Sequence, residues 1–216
     1  MKCSDIKKHF IEQIAKENFV SDRSGSRTVE LLGASFIADE PSIYGTVDWD
    51  YVNRELRWYA SQICNINELG NSGKIPEAWK KTANNEGWIN SNYGYLIWSD
   101  QNGAQYEHVL RELSTNPDSR RATMIYTRPT MHKDAFQEGM NDFVCTNAVS
   151  YAIRGGKLHC IVQMRSNDVV FGYKNDRAWQ YHVLIQLAKD LKVEPGDIYW
   201  QVQNLHIYER HWHLVK

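Results

Sequence analysis

Apolar residues recur at helical spacing at Ile6, Phe10 and Ile14, with Ser4 ahead of them as an N-cap, so a helix is expected to about Phe19. Asp22-Arg23-Ser24-Gly25-Ser26 is turn chemistry. Thr28 to Ile37 then reads as a strand with a break at Gly33. Asp48 is placed to cap a second helix through Val52, Leu56 and Tyr59. Asn67 to Lys74 is polar and contains glycine, and is expected to be a mobile loop. Ala104 to Leu113 returns to helical spacing.

The second half is richer in strands. Thr123 to Thr127 is one. Phe143 to Ile153 and Leu158 to Arg165 flank Arg154-Gly155-Gly156-Lys157, a hairpin signal. Arg177 to Leu191 is expected to be a helix closed by Pro195-Gly196, and Ile198 to Tyr208 a final strand. With no repeat and no linker, the expectation is one domain over residues 1–216, α/β or α+β, built on a mixed β-sheet flanked by helices.

Bulk properties narrow the chemistry. The chain has 216 residues and a formal net charge of -1, so no basic stripe for nucleic acid is implied and any anion site must be a local arginine cluster. Its four cysteines, Cys3, Cys64, Cys145 and Cys160, make no Cys-x-x-Cys pair, so no metal site is expected. Free thiols and the lack of an apolar leader or span point to a reducing cytoplasm, without a membrane.

Cys145 lies in an alternating pattern, Phe143-Val144-Cys145-Thr146-Asn147. A lone cysteine in a strand is most often a buried, inert thiol. Here polar residues follow at once, and several arginines offer a field that favours thiolate. A thiolate attacks electron-poor double-bond carbons, such as C6 of a pyrimidine. Arg165 and Ser166 end a strand and suit phosphate oxygens. Asn167 and Asp168 follow them, and Arg120-Arg121 form a charged turn. Glu55 falls on the apolar face of its helix, where it either turns out to solvent or, partly buried, becomes a general acid/base. Asp176 is an ordinary helix-start charge, or an acceptor for the exocyclic amine of cytosine. His206 and Tyr208 alternate on one strand face, as core residues or as sugar ligands.

In order, these residues resemble the thymidylate synthase family. Asp22-Arg23-Ser24-Gly25 is similar to its phosphate loop, Arg54-Glu55-Leu56-x-Trp58 to its Glu-Leu-x-Trp helix, and Asn92-Tyr93-Gly94 to its Val-Tyr-Gly. Ser119-Arg120-Arg121, Gln163 to Val169, and Leu205-His206-Ile207-Tyr208 match further family motifs. Three departures matter. Thr146, not His, follows the nucleophile; Asp176 stands where the family reads uracil with Asn; and His211 to Lys216 lacks the family's apolar closing tail. Together they resemble the branch of pyrimidine hydroxymethylases that act on cytosine.

The resemblance implies dCMP and 5,10-methylenetetrahydrofolate as substrates and a 5-hydroxymethylated product. It implies Cys145, Glu55 and Asp176 as catalytic residues. Arg23, Arg120, Arg121, Arg165, Ser166, Asn167, His206 and Tyr208 would bind the nucleotide, and Asp168, Trp79 and Tyr93 the folate. It also implies a homodimer with sheets packed at the interface and Arg120 and Arg121 donated to the other subunit's site. The alternatives are a dUMP or CMP hydroxymethylase, a cytidylate methylase, or a nucleotide- or RNA-binding regulator without turnover.

Overall fold

A computed structural model describes residues 1–22 and 25–215, apart from the side chains of Ala135, Gln137 and Glu138. Helix α1 (Cys3–Ala15) leads into β1 (Val20–Ser21) and β2 (Arg27–Ile37). Helices α2 (Trp49–Ser61), α3 (Ile66–Gly70), α4 (Glu77–Thr82), α5 (Tyr93–Trp98) and α6 (Gln105–Thr115) follow. Then come β3 (Thr123–Ile125), α7 (Met131–Glu138), β4 (Thr146–Arg154), β5 (Lys157–Asp168), α8 (Gly172–Leu191) and β6 (Glu194–Tyr208). A 3-10 segment, Glu209–Leu214, follows β6.

The strands form one six-stranded sheet among the described residues, in the order β1-β2-β6-β5-β4-β3. Every pairing is antiparallel except β5 with β6. A parallel pair needs a crossover, and α8 supplies it. One apolar cluster runs from Cys3 and Phe10 through Trp58, Tyr93 and Trp179 to Trp200 and Ile207. Along β6 the side chains alternate, with Ile198, Trp200 and Val202 buried and Tyr199, Gln201 and Gln203 exposed. Gln163 of β5 and Ser35 of β2 both pair with Gln201, so they extend an exposed, polar patch on that outer face.

Local chemistry accounts for most boundaries. Asp48 caps α2 as expected, its carboxylate accepting from the Tyr51 N–H at 3.0 Å. Ser4 is not a cap. Helix α1 starts two residues earlier, with Lys2 at the cap position, and the Asp5 carboxylate accepts from the Lys2 N–H at 2.8 Å. It also ends at Ala15, short of Phe19. Gly33 does not break β2: its φ of 67° is absorbed while Leu32 and Ala34 keep one register against Asn204 and Val202. The expected loop at Asn67 to Lys74 begins as α3, which the Asn65 side chain caps at 3.0 Å from the Asn67 N–H. Helix α8 starts at Gly172, not Arg177, and ends at Leu191 with Lys192 at φ 58°; Pro195-Gly196 lies inside β6.

One glycine is dictated by proximity. A Cβ on Gly94 would lie 1.9 Å from the Tyr59 carbonyl oxygen, so α5 packs backbone-to-backbone on α2. Glu55 on α2 and Tyr93 on α5 are thereby held in a fixed relation.

Candidate active site

Cys145 is the last residue before β4, not within a strand as the alternation implied. It stays tied to the sheet, because the Arg165 N–H donates to the Cys145 carbonyl at 2.9 Å. The Arg165 guanidinium folds back over the same loop. Its Nε donates to the Val144 carbonyl at 3.1 Å, its Nη2 donates to the Phe143 carbonyl, and Nη2 lies 3.6 Å from the Cys145 sulfur. Three residues earlier, Asp142 anchors the loop: it accepts from the N–H groups of Asn90 and Ser91 at 2.8 and 2.7 Å and from the Ser91 hydroxyl at 2.8 Å.

The expected thiolate is not the resting state. Burial pushes the Cys145 thiol up to about 11, and the Arg165 charge offsets only part of this. The field foreseen from the arginines is present, but desolvation outweighs it, and the Asp176 and Asp142 carboxylates oppose it too.

Thr146 starts a polar chain toward the helices. Its hydroxyl donates to the Tyr93 hydroxyl at 3.2 Å, which donates to Asp176 Oδ1 at 3.3 Å. Asn167 donates to Asp176 Oδ2 at 2.7 Å and accepts from the Trp200 indole at 3.3 Å. Asn167 is buried, and its amide N–H is taken up by Asp176. Burial and the nearby Glu55 charge raise the Asp176 carboxyl to about 8.

Glu55 does not turn out to solvent; it is 5% exposed. Its Oε1 accepts from the Tyr51 hydroxyl at 2.6 Å, and that hydroxyl accepts from the Trp79 indole at 2.9 Å. Burial raises Glu55 to about 7 against the lowering effect of these donors and of Tyr59. Tyr93 thus spends its hydroxyl proton on Asp176, and Trp79 its N–H on the Tyr51 hydroxyl that holds Glu55. The Tyr93 ring is buried and stacked on Tyr59 with centroids 5.3 Å apart, so it offers no open face to a ligand.

The remaining candidates divide. Ser166 pairs with Asn204, and Asp168 with His206, across the parallel strands. Burial lowers the pKa of His206, whose ring stands 5.0 Å from that of Tyr208. Asp168 accepts from the Val170 N–H at 2.9 Å and so shapes the turn into α8. Arg120 and Arg121 are exposed and do not join the group within this chain; Arg121 pairs with Glu112 at 3.1 Å. Arg23 lies outside the described residues. No group of three or more His, Cys, Asp or Glu among the described residues is placed to hold a metal ion. Nor is any described helix long and apolar enough to cross a membrane.

Sequence reasoning missed Tyr51, although its spacing four residues before Glu55 on one helix face was a usable signal. It also missed Asp142, whose partners are about fifty residues away in sequence.

A thiol beside a guanidinium and within the field of Asp176, itself next to Glu55, with both carboxyls raised toward neutrality, suits covalent catalysis with coupled proton transfer. The chain belongs to the thymidylate synthase family, whose profile matches residues 8–216. It is 47% identical over 222 residues to the deoxycytidylate 5-hydroxymethyltransferase of Enterobacteria phage T4, covering 100% of this chain and 89% of that one. It is 34% identical over 164 residues to the thymidylate synthase of Fusobacterium nucleatum, covering 74% of this chain and 56% of that one. Among solved structures, thermostable thymidylate synthase A from Bacillus subtilis matches with a TM-score of 0.74 over 97% of this chain and 81% of that one; at 22% identity the likeness is one of fold.

Proposed function

We propose that this protein transfers the one-carbon unit of 5,10-methylenetetrahydrofolate to C5 of dCMP and hydrates it, giving 5-hydroxymethyl-dCMP and tetrahydrofolate. One observation carries the base preference. Asp176 is held between Asn167 and Tyr93 with its carboxyl raised to about 8. A protonated carboxyl donates to N3 of cytosine through one oxygen and accepts from the N4 amine through the other.

The steps follow from the residues. Cys145 gives up its proton and bonds to C6, and the ring electrons move to C5. Asp176 donates toward N3 as charge builds in the ring. The folate supplies a carbon at the formaldehyde oxidation level. C5 bonds to that carbon, and loss of the C5 proton together with tetrahydrofolate, as the carbon–nitrogen bond to folate breaks, leaves an exocyclic methylene on the ring. Water adds there while Glu55 takes its proton, and the C6–sulfur bond then breaks, releasing Cys145. Arg165 and Ser166, with Arg23, are the phosphate ligands; His206 and Tyr208 take the sugar hydroxyl.

For the folate, the residues present fit a flat, anionic molecule. Phe171 is half exposed, with the Lys174 ammonium 4.5 Å from its ring centroid and His211 edge-on at 5.0 Å. Asp168 lies at the same turn. The exposed glutamine patch on the outer sheet face and the exposed Arg120 and Arg121 support a homodimer that completes each site with the partner's arginines. With relatives encoded by Enterobacteria phages, the reaction is assigned here to a host cytoplasm.

The test is incubation of pure protein with dCMP and methylenetetrahydrofolate. A product heavier than dCMP by one CH2O unit, with no dihydrofolate formed, is expected. Dihydrofolate with a methylated product would make the protein a methylase. Turnover of dUMP or CMP in preference would reassign the substrate, and binding without turnover would leave a regulator.

A further inference from the structure

The geometry points to Tyr51, backed by the Trp79 indole, as the positioning residue that decides which oxygen of Glu55 handles the proton of the attacking water. The inference rests on the proposed hydration chemistry and deepens it.

An indole N–H only donates. The Tyr51 oxygen must therefore accept from Trp79 Nε1 at 2.9 Å, and its own proton is directed to Glu55 Oε1 at 2.6 Å. The relay has one polarity: Trp79 to Tyr51 to Glu55. It makes Oε1 an acceptor and leaves Oε2 to carry the proton that Glu55 gains or loses, with Trp79 and Tyr59 adding smaller donations to the same carboxyl. Burial and the Glu55 charge hold the Tyr51 phenol far above its ordinary range, so it orients and does not ionise.

The groups facing Glu55 are few. Tyr51 and Tyr59 face it from α2, Trp79 from α4 and Asp176 from α8. Arg54, next along the helix, is turned away, with its guanidinium donating to the Leu69 and Lys74 carbonyls. Tyr51 thus supplies the short donor that favours the ionised form of Glu55. Without it, Glu55 keeps its proton to higher pH and cannot take one from water.

Tyr51→Phe keeps the ring and deletes the hydroxyl. With dCMP as substrate, kcat is expected to fall about fivefold at pH 7, approaching about tenfold at lower pH, and the acid limb of its pH profile to move up by about one unit, the scale of one hydrogen bond to an ionised group. KM for dCMP should not change. Trapping with 5-fluoro-dCMP reads the earlier steps separately. Its fluorine cannot leave C5 as a cation, so the reaction halts with Cys145 bonded to C6, and adduct yield should match the parent protein. Trp79→Phe should move the acid limb in the same direction by less.

An unchanged kcat and acid limb in Tyr51→Phe overturns the proposal. So does an equal loss of adduct and product, which marks a merely structural role. Glu55→Gln separates this from the underlying reading. If that variant forms product at the parent rate, water activation by Glu55 fails; if it is dead while Tyr51→Phe is normal, only the Tyr51 assignment fails.

Discussion

The two walls of the site are built differently. On the sheet side, Cys145 and Arg165 are held through the main chain: a strand-end N–H, two loop carbonyls and the Asp142 anchor. On the helical side, Glu55 and Asp176 are held by side chains: two phenols, an indole and an amide. Yet burial drives both walls to the same result. The thiol rises to about 11 and the carboxyls to about 7 and 8. At neutral pH the thiol and Asp176 therefore keep their protons in the free site, while Glu55 stands near its midpoint. A phosphate that draws Arg165 from the Phe143 and Val144 carbonyls would rearrange the loop carrying the nucleophile.

The comparison is open to attack from either wall. Cys145→Ser removes the only nucleophile proposed and should cut product formation by at least about 10⁴-fold, while dCMP binding by calorimetry persists. Asp176→Asn leaves the sheet wall intact and exchanges an acid for an amide. The ratio of kcat/KM for dCMP over dUMP should fall by about a hundredfold or more. A ratio that stays put would remove Asp176 as the base reader. Gly94→Ala forces a methyl into the Tyr59 carbonyl and should lower stability by about 1–3 kcal/mol in urea unfolding.

The smallest effect is also the most diagnostic. Glu55 and Asp176 titrate higher folded than unfolded, so their contribution to stability is complete below about pH 4 and is lost as pH rises through about 7 to 8. Denaturation midpoints of the parent should therefore fall over that window. In Glu55→Gln with Asp176→Asn the slope should flatten. An equal slope in both proteins would mean the carboxyls are not buried as acids.

Much of this was legible in sequence where the signal is local. The Asp48 cap, the Gly155-Gly156 hairpin and the alternation of β6 each depend on neighbouring residues. Helices α3 and α4 escaped because five or six residues carry less than two turns of periodicity. The start of α8 was misplaced because Gly172-Tyr173-Lys174-Asn175 contains polar residues, yet Tyr173 and Lys174 are buried there. Cys145, Glu55 and Asp176 could be singled out from their letters and spacing. Their protonation was not legible, because desolvation depends on the whole surrounding fold, whereas the favourable charges are visible as letters. Asn167 shows the same limit: its position in a motif marked it, and only its neighbours showed that it braces Asp176.

The parallel pairing of β5 with β6 has a consequence for how the molecule comes to exist. β6 sits between β2 and β5, though every other strand precedes it in synthesis. A nascent chain can close the β4–β5 hairpin early, but β2 and β5 have no common neighbour until Glu194–Tyr208 emerges. Such distant pairings form slowly, and unpaired edges invite association with other chains. Translation must thus pass Tyr208 before the halves of the candidate site can meet, and one premature stop upstream of that ribbon would leave two unmatched edges.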